Sequence, residues 1–272
     1  MSDELYAPLY DGMSWSYSRI CAFDDCPYKF YLKYICYPNV KEASRFYASY
    51  GSFIHNILER YFLGEIAKED LQMEFLTKFE GSVKGHRPKQ KTVDKYISDG
   101  SSYFAHFKGL PFKTIAIEDT FNFDINGTKF NGRLDYIGED DEGNLVIVDH
   151  KSHNLKNRSK RKKPTLNDQE IDKMLRQLYI YSYGLKETTG KLPTKLCFNC
   201  FRCNTLIEEE FNSKAYEDAI NWALKTIDDI KGTTDFYPNV DYFYCNNICG
   251  VEYDCLYAQS EFGNMAYRDE EL

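Results

Sequence analysis

Residues 131–137 read NGRLDYI and residues 145–151 read LVIVDHK, and the polar segment GEDDEGN joins the two runs. Short apolar runs separated by glycine and acidic residues are typical of a β-hairpin. The continuous apolar character of the second run predicts a buried strand. Because side chains alternate between the faces of a strand, Asp149 and Lys151 share one face and His150 points to the other.

Two carboxylates approach each other on this predicted hairpin. A turn centred near Asp141 places Asp135 opposite Ile147 and diagonal to Asp149, and diagonal neighbours lie about 7–8 Å apart. Buried like charges must be paired or metal-bound, and the hard cations Mg²⁺ and Mn²⁺ prefer oxygen ligands. Lys151 would then neutralise a phosphate or orient an attacking water. The alternative is two surface acids beside an ordinary salt-bridged lysine, and the hairpin alone leaves both open.

The overall charge gives no general attraction for nucleic acid. The 272 residues carry a formal net charge of -8, so a nucleic-acid partner must meet a local basic patch. Six of the eight residues at 156–163 are basic, and phosphate contacts by these side chains would make binding sensitive to salt. A solvated loop is the alternative. The candidate DNA-binding residues of this block are Lys156, Arg158, Lys160, Arg161, Lys162 and Lys163.

The cysteine usage predicts a reducing compartment. Nine cysteines are present, an odd number, and Met1–Leu5 lacks the basic and apolar regions of a signal peptide. No apolar segment reaches transmembrane length. We expect a protein of the cytoplasm, in a prokaryotic or phage-infected cell, with no membrane partner.

Three cysteines near the end of the sequence indicate a metal or cluster site. Cys245, Cys249 and Cys255 fall in one tight segment, and Cys26 is the best candidate for a fourth ligand. Such a site would join the two ends of the domain, with buried cysteines as the alternative. The spacing at 197–203 is different, because a strand there turns Cys197 and Cys200 to opposite faces. Those cysteines are predicted to be small buried hydrophobic residues.

Helices dominate the sequence before the hairpin. Residues 14–110 show helical periodicity, and His55 lies on one side of a helix predicted over 47–62. Arg19, early in this part, could reach a phosphate. Residues 112–118 and 120–125 are then predicted as two successive strands before the hairpin.

A long helix follows the basic block. Asn167 and Glu170 form a plausible capping box for a helix that runs to about Lys186. Gln177 and Tyr181 are four residues apart, so their side chains lie together on one strip of this helix, where both can form hydrogen bonds.

In this order the motifs resemble the PD-(D/E)XK nuclease superfamily, and within it the RecB-like branch. That branch includes the iron–sulfur CRISPR-associated exonucleases and the nuclease domain of the bacterial AddB helicase–nuclease subunit. The Cys245–Cys249 spacing has three intervening residues where the family commonly has two. The resemblance rests on Ser16–Arg19 leading to Cys26–Pro27, Gly51–His55, Gly132–Asp135, Asp149–Lys151, Gln177–Tyr181, and the cysteines at 245, 249 and 255.

The resemblance implies an α/β fold with a central mixed β-sheet flanked by helices, as in the restriction-endonuclease core. We expect one nuclease domain over residues 1–272, with a helical N-terminal part at 14–110 that carries the first cluster cysteine. The catalytic core would cover 111–211. A C-terminal helix and an iron–sulfur cysteine loop would cover 212–272.

The resemblance also implies roles for individual residues. His55, Asp135 and Asp149, with the carbonyl of His150, would hold Mg²⁺ or Mn²⁺, and Lys151 would assist the attacking water. Gln177 and Tyr181 would position DNA or support the lysine, and Arg19 and Arg133 would contact phosphates. A structural [4Fe–4S] cluster, or Zn²⁺ as the second choice, would be held by Cys26, Cys245, Cys249 and Cys255.

The function expected from these motifs is that of a metal-dependent DNA exonuclease in recombination, repair, or phage- or CRISPR-related DNA processing. Its substrate would be single strands or duplex ends, and a helicase, a recombinase or a CRISPR adaptation protein could be its partner. One alternative is a structure- or site-selective endonuclease of the same fold. The other is a non-catalytic protein that binds DNA ends, although the intact Asp135, Asp149 and Lys151 argue against it.

Overall fold

The computed structural model describes residues 6–36, 45–251 and 254–257. None of the helices in these ranges combines the length and the apolar composition needed to cross a membrane. The helices are α1 (Ala7–Asp11), α2 (Tyr17–Asp25), α3 (Pro27–Phe30, continued by a π-helical turn over Tyr31–Cys36), α4 (Phe46–Phe62), α5 (Leu71–Ser82), α6 (Gln90–His106), α7 (Leu166–Thr189), α8 (Ser213–Gly232) and α9 (Tyr242–Asn247). The strands are β1 (Lys113–Ile125), β2 (Thr128–Glu139), β3 (Leu145–Lys151), β4 (Lys195–Cys200) and β5 (Thr205–Glu210).

The strands form one mixed sheet of order β1-β2-β3-β4-β5. β3 and β4 are parallel and are connected through α7, and the other neighbouring strands are antiparallel. The predicted mixed sheet flanked by helices is therefore confirmed. The prediction of two strands over 112–118 and 120–125 was wrong, because the chain continues as the single strand β1 through a left-handed residue, Glu118, with φ of 50°.

Helices cover both faces of the sheet. On one face, α7 and α8 pack over Ile147, and Leu178 of α7 belongs to the same core. On the other face, Phe62 of α4 packs against Tyr136 and Val148. α4, α5 and α6 share a further aromatic core that includes Phe75. The strands that carry Asp135, Asp149 and Lys151 are thus enclosed between two helical layers.

The register of the β2–β3 hairpin differs from the one predicted. Ile137 pairs with Ile147 and Tyr136 pairs with Val148, so Asp135 lies opposite Asp149 and not opposite Ile147. The reason is the turn, in which the Asp140 N–H donates to the Asn144 carbonyl at 3.0 Å and moves the centre one residue along. The pairing shifts by two residues, so each side chain keeps its predicted face.

The start of α7 also differs from the prediction. Thr165 is the N-cap, and the capping box is completed by Asp168, not by Asn167 and Glu170. The Asp168 carboxylate accepts hydrogen bonds from the backbone N–H of Thr165 at 2.7 Å and of Ser159 at 2.9 Å. These bonds hold the pKa of Asp168 well below its usual range and tie the basic block to the helix.

Trp15 joins the N-terminal helices to the sheet. The backbone N–H of Trp15 donates to the Lys129 carbonyl at 2.8 Å, and the backbone carbonyl of Trp15 accepts from the Asn131 N–H at 2.7 Å. β3 pairs with β2 only over residues 136–139. Trp15 forms a β-bridge with Phe130, on the part of β2 that β3 does not reach. This contact places the start of α2 beside the strand that carries Asp135.

Candidate active site

Asp135 and His55 meet around the backbone of His150. The N–H of His150 donates to Asp135 Oδ2 at 2.8 Å, and the carbonyl oxygen of His150 lies 2.8 Å from His55 Nε2. His55 Nδ1 is 3.5 Å from Asp135 Oδ2. α4 thus brings its imidazole to the β2–β3 pair, where it contacts the two groups expected to share a metal with it.

The side chain of His150 does not face this site. It lies on the opposite face of the sheet, where its Nδ1 is 2.9 Å from Asn199 Nδ2 and its ring stacks on Phe62. Burial lowers the pKa of His150 to about 3, with the charge of His55 as a second cause, so the ring is neutral at neutral pH. Its contribution to the site is therefore the backbone carbonyl.

Asp149 and Lys151 form a buried ion pair. Lys151 Nζ is 2.8 Å from Asp149 Oδ2, and it donates to Gln177 Oε1 of α7 at 3.2 Å. Burial lowers the pKa of Lys151, but the Asp149 carboxylate more than compensates, and the pKa lies above its usual range. Burial raises the pKa of Asp149, and the charge of Lys151 opposes this. Lys151 is therefore a cation at neutral pH, held in one position by Asp149 and Gln177.

Tyr181 lies one helical turn beyond Gln177 and packs on the sheet at Gly132. A Cβ at position 132 would lie 2.9 Å from the Tyr181 ring, so only glycine permits this approach. Burial raises the pKa of Tyr181, with the charge of Asp149 as the second cause. α7 is thereby fixed against β2 at the level of the carboxylates.

Glu118 belongs to this site, although the sequence analysis did not single it out. Ile117 pairs with Tyr136 and Asp119 pairs with Leu134, which places Glu118 opposite Asp135. One donor atom from each of His55, Glu118 and Asp135 lies within 4.8 Å of the others. Burial raises the pKa of Glu118, and the neighbouring Asp135 raises it further. The only signal in the sequence was an acidic residue in an apolar stretch, which carries little weight alone.

We call His55, Glu118, Asp135, Asp149 and Lys151 the catalytic centre. Its donor set fits a hard divalent cation. Asp149 Oδ2 and Glu118 Oε2 are buried and make no aligned hydrogen bond, although each lies close to a cation, Lys151 and Arg133 respectively. Carboxylate oxygens and one imidazole nitrogen are ligands that Mg²⁺ and Mn²⁺ accept. Underbonded buried oxygens are the arrangement that a bound cation would satisfy.

The predicted DNA-binding residues differ in their exposure and in their partners. Arg133 is exposed and its Nε is 2.7 Å from Glu118 Oε2. Arg19 donates to the Ser14 carbonyl and lies over the Tyr34 ring. Arg158 is held by Glu209 at 2.7 Å and by Asp172 at 2.6 Å. The remaining basic residues of the block are exposed in the segment after β3, namely Lys156, Lys160, Arg161, Lys162 and Lys163.

Cys26, Cys245, Cys249 and Cys255 line one small cavity, which we call the cysteine corner. The N–H of Asn239 lies 3.4 Å from Cys26 Sγ, and Arg45 donates twice to the Cys249 carbonyl, at 2.8 and 3.0 Å. Cys197 and Cys200 are buried in β4, away from this corner. Among the described residues, no three sulfur atoms of the set Cys26, Cys245, Cys249 and Cys255 lie within 4.8 Å of one another.

Comparisons with known proteins agree with this architecture. The model of the PD-(D/E)XK nuclease superfamily matches residues 14–258, and the chain belongs to that superfamily. Among solved structures, a candidate exonuclease from Eubacterium rectale is similar over 88% of this chain and 89% of its own, with a TM-score of 0.52 and 13% sequence identity. The protein SSO0001 covers 76% of this chain and 95% of its own at 15% identity, with a TM-score of only 0.32. No curated protein matches the chain.

Proposed function

We propose that the protein is a Mg²⁺- or Mn²⁺-dependent deoxyribonuclease that degrades DNA as an exonuclease. The observation that carries the proposal is the catalytic centre, where buried carboxylates, an imidazole and a fixed ammonium converge on adjoining strands. We further propose that residues 1–272 form one nuclease domain. The sequence further predicts that the protein acts in the cytoplasm, in recombination, repair or phage- or CRISPR-related processing. The predicted partner is a helicase, a recombinase or an adaptation protein.

The residues that would hold the cation are His55, Glu118, Asp135 and Asp149, together with the His150 carbonyl. When bound, the ion supplies charge neutralisation at the scissile phosphate and lowers the pKa of a coordinated water. Lys151 Nζ lies 2.8 Å from Asp149 Oδ2, where it can donate hydrogen bonds to the attacking water or to a phosphate oxygen.

Asp149 and Gln177 position this ammonium group. Asp149 compensates its charge, and Gln177 limits its rotation through the bond at 3.2 Å. Tyr181, fixed against Gly132, supports the helix that carries Gln177. This division of roles predicts that the lysine affects the rate more than it affects metal binding.

At the cysteine corner we propose a structural [4Fe–4S] cluster. The four thiols share one cavity, and the Asn239 N–H points at Cys26 Sγ as backbone donors do toward cluster ligands. Zn²⁺ at the same four thiols is the second choice. Iron and sulfide analysis of an anaerobic preparation tests this, and zinc without iron would contradict it.

The test of the main proposal compares linear and circular single-stranded DNA with Mn²⁺ or Mg²⁺, using the wild type and Asp135→Asn. The asparagine oxygen can still accept from the His150 N–H, so the fold should persist while a negative ligand is lost. Asp119→Asn is the matched control, because Asp119 is exposed on the adjoining strand β1, opposite Leu134. We expect degradation of linear DNA only, abolished by Asp135→Asn and unchanged by Asp119→Asn.

The other outcomes decide between the alternatives. Cutting of circles would establish the site- or structure-selective endonuclease. If neither the wild type nor the variant hydrolyses DNA but both bind it with a steep salt dependence, the non-catalytic end-binding protein is the correct description.

A further inference from the structure

A second concave site adjoins the catalytic centre. The cleft encloses about 690 Å³ between α4, α6, the segment after β3 and α9, a size typical of ligand sites. We call it the aromatic cleft and define it by six lining side chains, Tyr47, Lys91, Lys95, Tyr96, Arg202 and Phe243.

The aromatic cleft lies close to the catalytic lysine. Ser152, His153 and Asn154 line it and directly follow Lys151, so His153 lies within about 7 Å of Lys151 along the chain. On the neighbouring strand, the Phe201 N–H donates to the Lys151 carbonyl at 3.2 Å, and the next residue, Arg202, lines the cleft. These backbone links place the cleft beside the end of β3 that carries Lys151.

One wall of the cleft is aromatic and rigid. The Tyr96 ring lies under the Arg202 guanidinium at 3.8 Å, and Arg202 donates to its hydroxyl at 2.9 Å. Tyr50 packs against the same ring with 4.8 Å between centroids, and Tyr47 with 5.5 Å. Tyr47 and Tyr96 are half-buried, and Phe243 of α9, which lines the same cleft, is 58% exposed. Aromatic rings that line a groove are the platforms on which unpaired bases stack.

The rim of the cleft carries net positive charge. Lys95 and Arg202 share Asp99, at 3.1 and 3.2 Å, and Lys91 is exposed beside them. Three cations therefore accompany one carboxylate here, whereas the whole chain carries a formal net charge of -8. The described residues that line the cleft include these three cations and no acid, and Glu170 lies 3.9 Å from the lining residue His153. The rim is therefore complementary to a phosphodiester backbone.

We propose that the aromatic cleft binds the unpaired bases of single-stranded DNA beside the scissile phosphate, with Phe243 and Tyr47 stacking on bases and Lys91 contacting phosphate. The proposal rests on the proposed nuclease function and specifies its substrate as a single strand. Paired bases in a duplex do not expose their faces to such rings, so the cleft discriminates against duplex DNA.

The experiment measures binding in EDTA, where hydrolysis cannot occur, by fluorescence anisotropy. The probes are an oligothymidylate, an abasic strand of equal length and a duplex of equal length. The variants are Phe243→Ala and Lys91→Ala, with Tyr237→Ala as the matched control, because Tyr237 is 70% exposed and lies outside the cleft. Unfolding temperatures of all variants check that these exposed substitutions leave the fold intact.

We expect Phe243→Ala to weaken oligothymidylate binding by about 5-fold or more, the lower end of what loss of one stacking contact causes, and to leave abasic binding unchanged. Lys91→Ala should weaken binding of both strands alike and reduce the salt slope by about one. Equal affinity for thymidylate and abasic strands, tighter binding of the duplex, or an effect of Tyr237→Ala as large as that of Phe243→Ala would overturn the proposal.

A failure of this proposal can be told apart from a failure of the nuclease function. Hydrolysis that depends on Asp135, together with a Phe243→Ala variant that binds like the wild type, rejects the cleft alone. Base-dependent binding lost in Phe243→Ala, with no hydrolysis in any preparation, rejects the nuclease function and leaves the cleft as a single-strand binding site.

Discussion

The catalytic centre and the cysteine corner are both clusters of reactive side chains, but they are assembled in different ways. Asp135, Asp149 and Glu118 stand on adjoining strands, and their separation is fixed by the sheet register. Beside the cysteine corner, Lys29 of α3 donates to the Tyr244 hydroxyl of α9, and Arg45, directly before α4, donates to the Cys249 carbonyl, so these bonds link segments that are far apart in the sequence.

This difference predicts which substitutions change the rate of the reaction and which change the stability of the fold. In the catalytic centre the backbone would keep its geometry without the functional side chains, so substitutions there change the reaction. At the cysteine corner, side chains such as Lys29 and Arg45 bond to segments that are distant in the sequence, so substitutions there should loosen the fold. Four substitutions test this separation.

The largest effect is expected for Lys151→Met. It removes the ammonium that orients the water, so hydrolysis should fall about 10²- to 10³-fold, the range seen when one hydrogen-bond donor is removed from a reacting centre. Mn²⁺ affinity, measured by calorimetry, should stay within a few-fold of the wild type because no ligand is lost. The control is Lys113→Met, at an exposed lysine on β1. Unchanged hydrolysis would remove Lys151 from the mechanism.

Glu118→Gln tests the acid that the sequence analysis missed. The substitution keeps the shape of the side chain and removes one negative charge from the group around Asp135. We expect Mn²⁺ affinity to fall about 10- to 100-fold, as for residues that support a metal site. Calorimetry on Asp119→Asn supplies the comparison, and an affinity equal to that of the wild type would show that Glu118 only neutralises Arg133.

Cys249→Ser tests the opposite region. It removes one proposed cluster ligand, and metal binding at such sites contributes directly to folding. We expect the unfolding temperature to fall by more than about 5 °C, since each kcal/mol shifts it by about 2–4 °C in a domain of this size. Hydrolysis at low temperature should persist. Cys36→Ser, at an exposed cysteine outside the corner, is the control. Lost hydrolysis in a folded Cys249→Ser protein would break the separation.

The smallest effect concerns the cap of α7. Asp168 has a pKa below its usual range in the folded protein, so its stabilisation is present above about pH 4, the pKa of an unfolded aspartate, and is lost as the pH falls through the lower folded value. Asp168→Asn should therefore lower the unfolding temperature at pH 7 and have a shrinking effect at increasingly acid pH. Glu170→Gln should have no effect at either pH, and an equal loss there would restore the predicted cap.

The sequence predicted the parts of the fold that local patterns determine. Turn residues between two apolar runs identified the β2–β3 hairpin, and strand alternation put Asp149 and Lys151 on one face. The predictions failed where several local choices were nearly equal. The turn could be centred on either of two neighbouring residues, and two capping boxes overlapped at the start of α7, with Asp168 forming more hydrogen bonds than Glu170 could.

The remaining parts of the site arise from contacts between distant segments. Glu118 enters the catalytic centre because β1 pairs with β2 through a left-handed residue, and no short pattern signals this conformation. The aromatic cleft combines Tyr47, Tyr96, Arg202 and Phe243, which come from four separate elements. Such a surface becomes visible only after the fold is known.

The pairing of α3 with α9 has a consequence for biosynthesis. Asp25 and Tyr244, which are hydrogen-bonded beside the cysteine corner, are 219 residues apart. At the ~5–20 residues per second of ribosomal elongation, the first cysteine waits about 10–45 s for its partners to be made. The carboxylates of the catalytic centre and α7 are all synthesised before that time. A nascent chain therefore contains the side chains of the catalytic centre before Cys245, Cys249 and Cys255 have been made.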